Sequence, residues 1–363
     1  MAHQIIKNVS IVGITTCVPR NVEENTSLPL FKEGEVEKVI LSTGIERRRI
    51  VDPGVTSGDL CYKAAEDLIQ GLGWNNEEID CLIFVSQTQD YILPATSCVI
   101  QGKLRLPNSC CCFDISYGCS GWVYGLSVIS AMISTGIMKK GLLLVGDTTS
   151  TFKSAKDKTA RPLFGDAGTA TALVFDPNAE DIKFALYANG NKFDSIIVTD
   201  GGCRNPFSVS SLEETEYEDG AIRTPMHSAM NGMDVFSFGI TKGPEVTKDV
   251  LEFAGKTVDD VDFFIFHQAN KFMNEKIRKK LKIAEEKVPY SMKDFGNVSC
   301  ATIPLTINYR FKEVAELQGK EIVATAFGVG LSWGSTSFKL NDIKYLGTVS
   351  YTHLRAHETS LHL

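Results

Sequence analysis

Short, uninterrupted apolar runs alternate along this chain with longer stretches whose apolar residues recur every three or four positions. The first run, Val9 to Cys17, predicts a strand closed by Pro19. Residues 35 to 42 predict a short helix. Ser57 to Leu72 predicts a longer one, with Leu60, Ala64, Ala65, Leu68, Ile69 and Leu72 on one face. Cys81-Leu-Ile-Phe-Val85 is a second strand and Ser97 to Leu104 a further helix. Cys110 to Ile115 reads as the end of a buried strand, which Ser116-Tyr-Gly118 breaks off. An uncharged segment from Cys119 through Val128, Ile129 and Met132 to Lys139 then predicts a helix buried all round. Gly141 to Val145 and Gly165 to Phe175 add two more strands. Strands that are apolar throughout and alternate with helices indicate an α/β sheet covered on both faces.

The second part of the chain repeats the first. Glu77-Glu-Ile-Asp-Cys-Leu-Ile-Phe84 reads against Asp259-Asp-Val-Asp-Phe-Phe-Ile-Phe266 at an offset of 182 residues, and the same offset carries Gly141 to Val145 onto Val323 to Phe327. A helix precedes the first matched strand in each part, Ala64 to Leu72 and Val246 to Ala254. Matches at two separated places argue for duplication rather than chance. The expected division is 1–178 and 179–344, with equivalent turns meeting at one shared site. Between the matched parts, 180–230 is irregular and acidic at Glu213 to Asp219, and reads as two or three strands with a loop bordering a substrate entrance. The run from Val349 onward has no periodicity and holds His353, His357 and His362. It resembles translated sequencing-adapter sequence, so 345–363 is set apart from fold and site.

Composition narrows the classes. The 363 residues carry 43% hydrophobic and 22% charged side chains and a net charge of −7, which suits a globular protein and disfavours broad nucleic-acid binding. No apolar stretch is long enough to span a bilayer, and the first residues lack the apolar core of a signal peptide. The ten cysteines lie mostly inside apolar runs with no Cys-x-x-Cys or Cys/His zinc spacing, so reduced thiols in the cytoplasm are expected.

Candidate chemistry centres on Cys119. It falls at a strand-to-helix turn, where free N–H groups and the helix dipole favour a thiolate. A lone cysteine in a tight corner is more often plain packing. Of the histidines outside the tail, His3 is terminal and His227 lies in a polar run. His267 ends the strand Phe263-Phe-Ile-Phe266 and so projects from the carboxyl edge where α/β sheets bind ligands. Asn297, in Phe295-Gly-Asn-Val-Ser299, lies near the counterpart of the Cys119 turn and can offer an amide donor. Phe327-Gly-Val-Gly330 is a glycine-rich loop able to present a backbone N–H to a developing oxyanion. Cys, His and Asn in that order suggest nucleophilic acyl transfer. Papain-like proteases share the residue types, but their cysteine sits in a different motif near a secreted N-terminus.

Taken together, Gly118-Cys-Ser-Gly121, Phe266-His-Gln-Ala-Asn270, Phe295-Gly-Asn-Val-Ser299 and Phe327-Gly-Val-Gly-Leu-Ser-Trp-Gly-Ser335 resemble the four signatures of β-ketoacyl-acyl-carrier-protein synthase III, a family of thiolase-like condensing enzymes. Ser42-Thr-Gly-Ile-Glu-Arg47 and Leu163-Phe-Gly-Asp-Ala-Gly168 fall in family order. The similarity runs from about Ile5 to Leu340. It implies a five-layered αβαβα fold, a homodimer, and a triad of Cys119, His267 and Asn297. It also implies an oxyanion hole from the N–H groups of Cys119 and Val329, with no metal or cofactor. In that mechanism Cys119 takes an acyl group, and neutral His267 and Asn297 both donate to the enolate formed when malonyl-carrier loses CO2. Leu93 matches the position that reaches into a partner's acyl pocket, and Phe236 one that lines the substrate channel. Lys276, Lys279 and Lys280 belong to Lys271–Lys282, with six basic residues and one acidic, where an acidic acyl carrier protein would dock. Met273, Ile277 and Leu281 should face the core, leaving Lys276, Arg278, Lys279, Lys280 and Lys282 outward. Departures stand at Lys38 and Ser42, where family members that use acetyl-CoA carry a Trp and an Arg, at Ser237 and Phe272, two docking positions, and at Val329, a family glycine. A preference for carrier-bound donors follows. The competing readings are acyl transfer to an alcohol or amine without decarboxylation, and a non-catalytic dimer partner.

Overall fold

The computed structural model describes residues 2–218 and 220–351. Its main strands are β1 (His3–Ile6), β2 (Val9–Pro19), β3 (Cys81–Ser86), β4 (Cys111–Ser116), β5 (Lys140–Thr148), β6 (Asp166–Phe175), β7 (Ile182–Ala188), β8 (Phe263–Phe266), β9 (Lys320–Gly328), β10 (Ser332–Leu340) and β11 (Tyr345–Tyr351). The main helices are α1 (Glu35–Thr43), α2 (Ser57–Leu72), α3 (Thr96–Lys103), α4 (Gly121–Ile133), α5 (Gly232–Ala254), α6 (Lys271–Leu281) and α7 (Thr302–Arg310). One sheet runs β11-β2-β6-β5-β3-β4 and the other β1-β7-β10-β9-β8. Position for position the orders correspond, with β4 the extra strand.

Five layers result, the αβαβα arrangement that the resemblance implies. Between the sheets, α4 and α7 fill one apolar core: Trp122, Leu126 and Ile129 meet Ile303, Ile307 and residues from both sheets. Trp122 is fully buried and its indole N–H donates to Thr171 Oγ1 at 3.1 Å. Outside the first sheet α2 packs Leu60, Ala64 and Leu68 against Leu82 and Leu144. Outside the second, α5 and α6 pack Val250 and Ile277 against Phe264 and Phe266. The ends of α2 are written locally. Thr56 and Asp59 form a reciprocal capping box, and Gly73 closes the helix in the left-handed conformation.

The duplication holds with a slip. Gly73 and Gly255, closing α2 and α5, are 182 apart, as are Cys81 and Phe263. In the parallel pairings, however, Cys81 faces Gly141 while Phe263 faces Ile322, an offset of 181. The helices α4 and α7 also begin 181 apart. The structural counterpart of Cys119 is therefore Cys300, not the Ala301 that 182 gives.

Several expectations change. The strand at 111–116 is not buried: β4 is an edge, with Cys111 and Ser116 exposed and the rest half-buried. The helix after Cys119 stops at Ile133 rather than Lys139, followed by Gly136 at φ 75°. The helix expected over Val246 to Ala254 begins fourteen residues earlier, at Gly232. Segment 180–230 contributes β7, between β1 and β10 of the second sheet, besides the short pairs Ile196–Ile197 with Ala229–Met230 and Thr215–Glu216 with Ile222–Arg223. The two parts also exchange terminal strands. β1 pairs with β7 and β11 with β2, so the boundaries 178 and 344 do not separate the sheets, and 345–351 belongs to the fold. His353, His357 and His362 lie outside the described residues.

Candidate active site

Cys119 lies just beyond the carboxyl end of β4 and two residues before α4; His267 follows β8 directly, Asn297 precedes the turn into α7, and Val329 follows β9. Because the sheets correspond, these strand ends face a common cavity of about 760 Å³ that Cys119, His267, Asn297 and Val329 all line. Phe236 lines it too. The irregular segment supplies Ile196, Ile197, Asp200, Met226 and Met230, the wall expected of it.

The Cys119 sulfur is held tightly. It is 7% exposed, and the backbone N–H groups of Val329 and of Cys119 itself, with the Ser299 hydroxyl, act on it. These contacts favour the thiolate, yet burial outweighs them and pushes the thiol pKa up, against the lowering expected from the helix end. At rest the Cys119 sulfur is a thiol. Space allows no substituent behind it, since a Cβ on Gly328 would lie 2.6 Å from the sulfur.

His267 is buried, which holds its pKa down to about 3 and the ring neutral. Its Nδ1 lies 2.8 Å from Thr302 Oγ1. Thr302 Oγ1 in turn lies 3.0 Å from the Ser299 carbonyl, so the Thr302 hydroxyl anchors the neutral ring.

Asn297 keeps its amide donor available. Its Oδ1 accepts the Ser299 N–H at 2.9 Å, and its own N–H donates to the Leu163 carbonyl at 2.8 Å, fixing the turn. Ser299, at φ 52°, sits in a left-handed conformation that non-glycine residues seldom adopt. It touches both Cys119 and Asn297. Nothing in its sequence context separated it from an ordinary turn serine.

Two family models match: 3-oxoacyl-[acyl-carrier-protein] synthase III over 113–190 and its C-terminal counterpart over 251–340. A β-ketoacyl-[acyl-carrier-protein] synthase III of Aliarcobacter butzleri is 34% identical over 92% of this chain and 98% of its own length. One of Caldanaerobacter subterraneus is 31% identical over 91% and 97%. Among solved structures, the 3-oxoacyl-(acyl-carrier protein) synthase of Burkholderia xenovorans LB400 superimposes with a TM-score of 0.90 at 36% identity, covering 96% of this chain and 99% of that one. The chain belongs to the β-ketoacyl-acyl-carrier-protein synthase III family. It is a thiolase-like condensing acyltransferase.

Synthase III membership also frames the peripheral residues. Leu93 does not line this chain's own cavity. With Tyr91 and Ile92 it stands exposed, Leu93 by 79%. Phe236 stacks on Phe272 at 5.6 Å, and Phe272 carries the Lys276 ammonium 5.3 Å above its ring, so the basic helix adjoins the cavity wall. Met273, Ile277 and Leu281 are buried as expected, and Lys276, Lys279, Lys280 and Lys282 are exposed. Arg278 is not outward: it is ion-paired with Glu275 at 2.7 Å and donates to the Ile283 carbonyl. Lys280 Nζ reaches the Ile240 carbonyl at 3.3 Å. Lys38 and Ser42 are exposed on α1.

Sequence reasoning missed Asp147 and Lys153. Asp147 is fully buried beside Cys300, whose thiol donates to Oδ2 at 3.1 Å, while Ser86 Oγ, the Gln87 N–H and Thr88 Oγ1 bond to Oδ1. It braces the strand ends behind the site. Lys153 lines the cavity itself.

Proposed function

We propose that the protein transfers an acyl group from a thioester to Cys119 and then condenses it, with loss of CO2, with malonyl-acyl-carrier protein, in fatty-acid or related lipid or polyketide biosynthesis. The convergence of Cys119, His267, Asn297 and the Cys119 and Val329 N–H groups on one cavity carries this reading. Each group has a step. Because the thiol is protonated at rest, a base is needed when its sulfur attacks the donor carbonyl, and neutral His267 supplies it. The tetrahedral oxyanion is held by the Cys119 and Val329 N–H groups. The acyl carbon–sulfur bond of the donor breaks, and the departing thiolate takes the proton back from the ring. Malonyl-carrier then loses CO2, and the resulting enolate oxygen is met by neutral His267 and the Asn297 amide. Attack of the enolate carbon on the acyl-Cys119 carbonyl forms the new carbon–carbon bond and expels the Cys119 thiolate, which a solvent proton restores to the thiol.

The acyl carrier protein is the partner this reading requires. The exposed lysines 276, 279 and 280 beside the cavity wall support its docking, since acidic carriers are steered by such a surface. A homodimer is supported by β4, an open sheet edge carrying one charge in Cys111-Cys-Phe-Asp-Ile-Ser116, together with the exposed Tyr91-Ile-Leu93 loop that would enter a partner's pocket. All ten cysteines are unpaired, which suits the reducing cytoplasm. No helix among the described residues is long and apolar enough to cross a membrane.

Intact-mass measurement with acyl donors, and CO2 release from malonyl-carrier measured separately, test the reading. Cys119→Ala should abolish the acyl adduct and the condensed product. An adduct on the Ala variant, or a parent enzyme that esterifies an alcohol and never releases CO2, would overturn it.

A further inference from the structure

The cavity contains one cation whose partner is missing. Among the described residues lining it, the ionisable side chains are Cys119, Lys153, Asp200 and His267. Lys153 follows the turn Thr149–Phe152 and is only 9% exposed. Its ammonium donates to Ser228 Oγ and stands 3.9 Å from the centre of the Phe164 ring. Among the described residues it forms no ion pair. Of the groups around it the Cys119 sulfur acts on it most strongly, but that sulfur is a protonated thiol at rest and supplies no counter-charge; Asp157, the strongest carboxylate, is committed to Arg223 at 2.6 Å and to Thr159. Asp200 accepts from Ser211 Oγ at 2.7 Å.

A buried ammonium without a counter-charge is costly unless a ligand completes it. Burial draws its pKa down to about 8, so the charge persists at neutral pH. Three anionic groups of a condensing reaction could be that ligand. The phosphate of a carrier's pantetheine arm joins the arm to the carrier, outside the cavity, whereas Lys153 lies within it. The malonyl carboxylate is a poor match on energetic grounds. Its charge departs from that position during decarboxylation, so a fixed cation there would stabilise the starting state more than the transition state. A carboxylate at the far end of the acyl group parked on Cys119 keeps its charge through both half-reactions. Phe152, Phe164, Ile197 and Met230, which line the same cavity, offer apolar contact for the intervening methylenes.

We propose that Lys153 makes the acyl site selective for carboxyacyl donors, thioesters of dicarboxylic acids whose free carboxylate pairs with the Lys153 ammonium. The inference rests on the condensing reading above. The chemistry of loading is unchanged: the donor carbon–sulfur bond breaks as the Cys119 sulfur–carbon bond forms, and the thiol proton ends on the departing thiol.

The test offers the parent enzyme equimolar succinyl and butyryl pantetheine thioesters, then glutaryl and pentanoyl, and reads the Cys119 adducts by intact mass. The carboxyacyl adduct should predominate in one pair. Lys153→Met should lower the carboxyacyl-to-alkyl ratio by about tenfold or more, the scale of removing one partner from a buried charged hydrogen bond. Lys153→Gln, polar and uncharged, should lower it likewise if the Met variant fails to fold, and the parent competition needs no variant. Adducts from the alkyl donors alone would uphold the condensing reading and overturn this one; no adduct from any donor would overturn both. A ratio unchanged by the substitution, with CO2 release from malonyl-carrier lost instead, would assign the ammonium to the malonyl carboxylate and also overturn the proposal.

Discussion

Replacing Gly328 by alanine is a one-methyl perturbation aimed at the reacting atom. The added Cβ would lie 2.5 Å from Cys119 Cβ and 2.6 Å from its Sγ. Carbon and sulfur neighbours settle at about 3.5 Å or more, so something must move by roughly 1 Å. Cys119 has little freedom to yield, since it is buried at the head of α4, a helix locked between the sheets. The alternative is displacement of the 328–329 backbone, which carries the Val329 N–H away from the oxyanion. Misplacing a reacting group by about 1 Å costs on the order of 10²-fold, and losing one oxyanion donor about 10²–10³-fold. Overpacking should cost roughly 1–3 kcal/mol of stability. Gly328→Ala is thus expected to slow single-turnover acylation of Cys119 by about 10²–10³-fold, measured by quenched-flow intact mass. Gly334→Ala is the control: its Cβ would meet Leu186 Cδ2 at 2.8 Å and Val123 Cγ1 at 3.2 Å, both apolar core side chains. That variant should lose comparable melting temperature and keep its acylation rate. If Gly328→Ala acylates within about threefold of the parent, a difference near 0.6 kcal/mol, the tight packing of the nucleophile against the oxyanion loop is refuted.

The other expectations concern protonation, the enolate and the partner. Asn297→Ala should still form acyl-Cys119 but lose about 10²–10³ in CO2 release, as the enolate's amide donor is gone; decarboxylation at the parent rate would remove Asn297 from that role. Because burial raises the Cys119 thiol pKa, its alkylation by iodoacetamide should keep climbing as pH rises past the ordinary cysteine range, and a plateau near neutral pH would contradict a protonated resting state. Thr302→Val removes the hydroxyl 2.8 Å from His267 Nδ1 that anchors the ring, so acylation should fall with little change in KM; an unchanged acylation rate would show that Thr302 does not position His267. Lys279→Glu with Lys280→Glu should raise KM for carrier substrates and flatten its salt dependence while a small thioester reacts as before; equal losses with both would mean that the surface is merely structural.

Element by element, the sequence was most informative where the signal is local. The helix Ser57–Leu72 coincides with its apolar period, because its capping box and closing glycine sit within the same few residues. His267 was found by elimination and strand position, and the motif around Cys119 by its flanking glycines. Relations between distant residues were a different matter. Whether the strand at 111–116 is buried depends on its being last in the sheet, which no composition within it records. The one-residue slip between the duplicated parts lies in the pairing register, so an offset counted along the chain chose Ala301 over Cys300.

What the sequence alone determined is the repeat, the order of strands and helices, and the candidate cysteine, histidine and asparagine that the cavity brings together. Tertiary structure decided how those residues are charged. Burial overrode the helix end at Cys119, burial likewise holds the His267 ring neutral, and Arg278 turned inward to Glu275. It also placed Lys153, an unremarkable residue in a polar run, inside the cavity beside Phe164. The physical reason is common to all four. Desolvation and hydrogen-bond geometry are set by neighbours remote along the chain, whereas periodicity and caps are set by neighbours a few residues away.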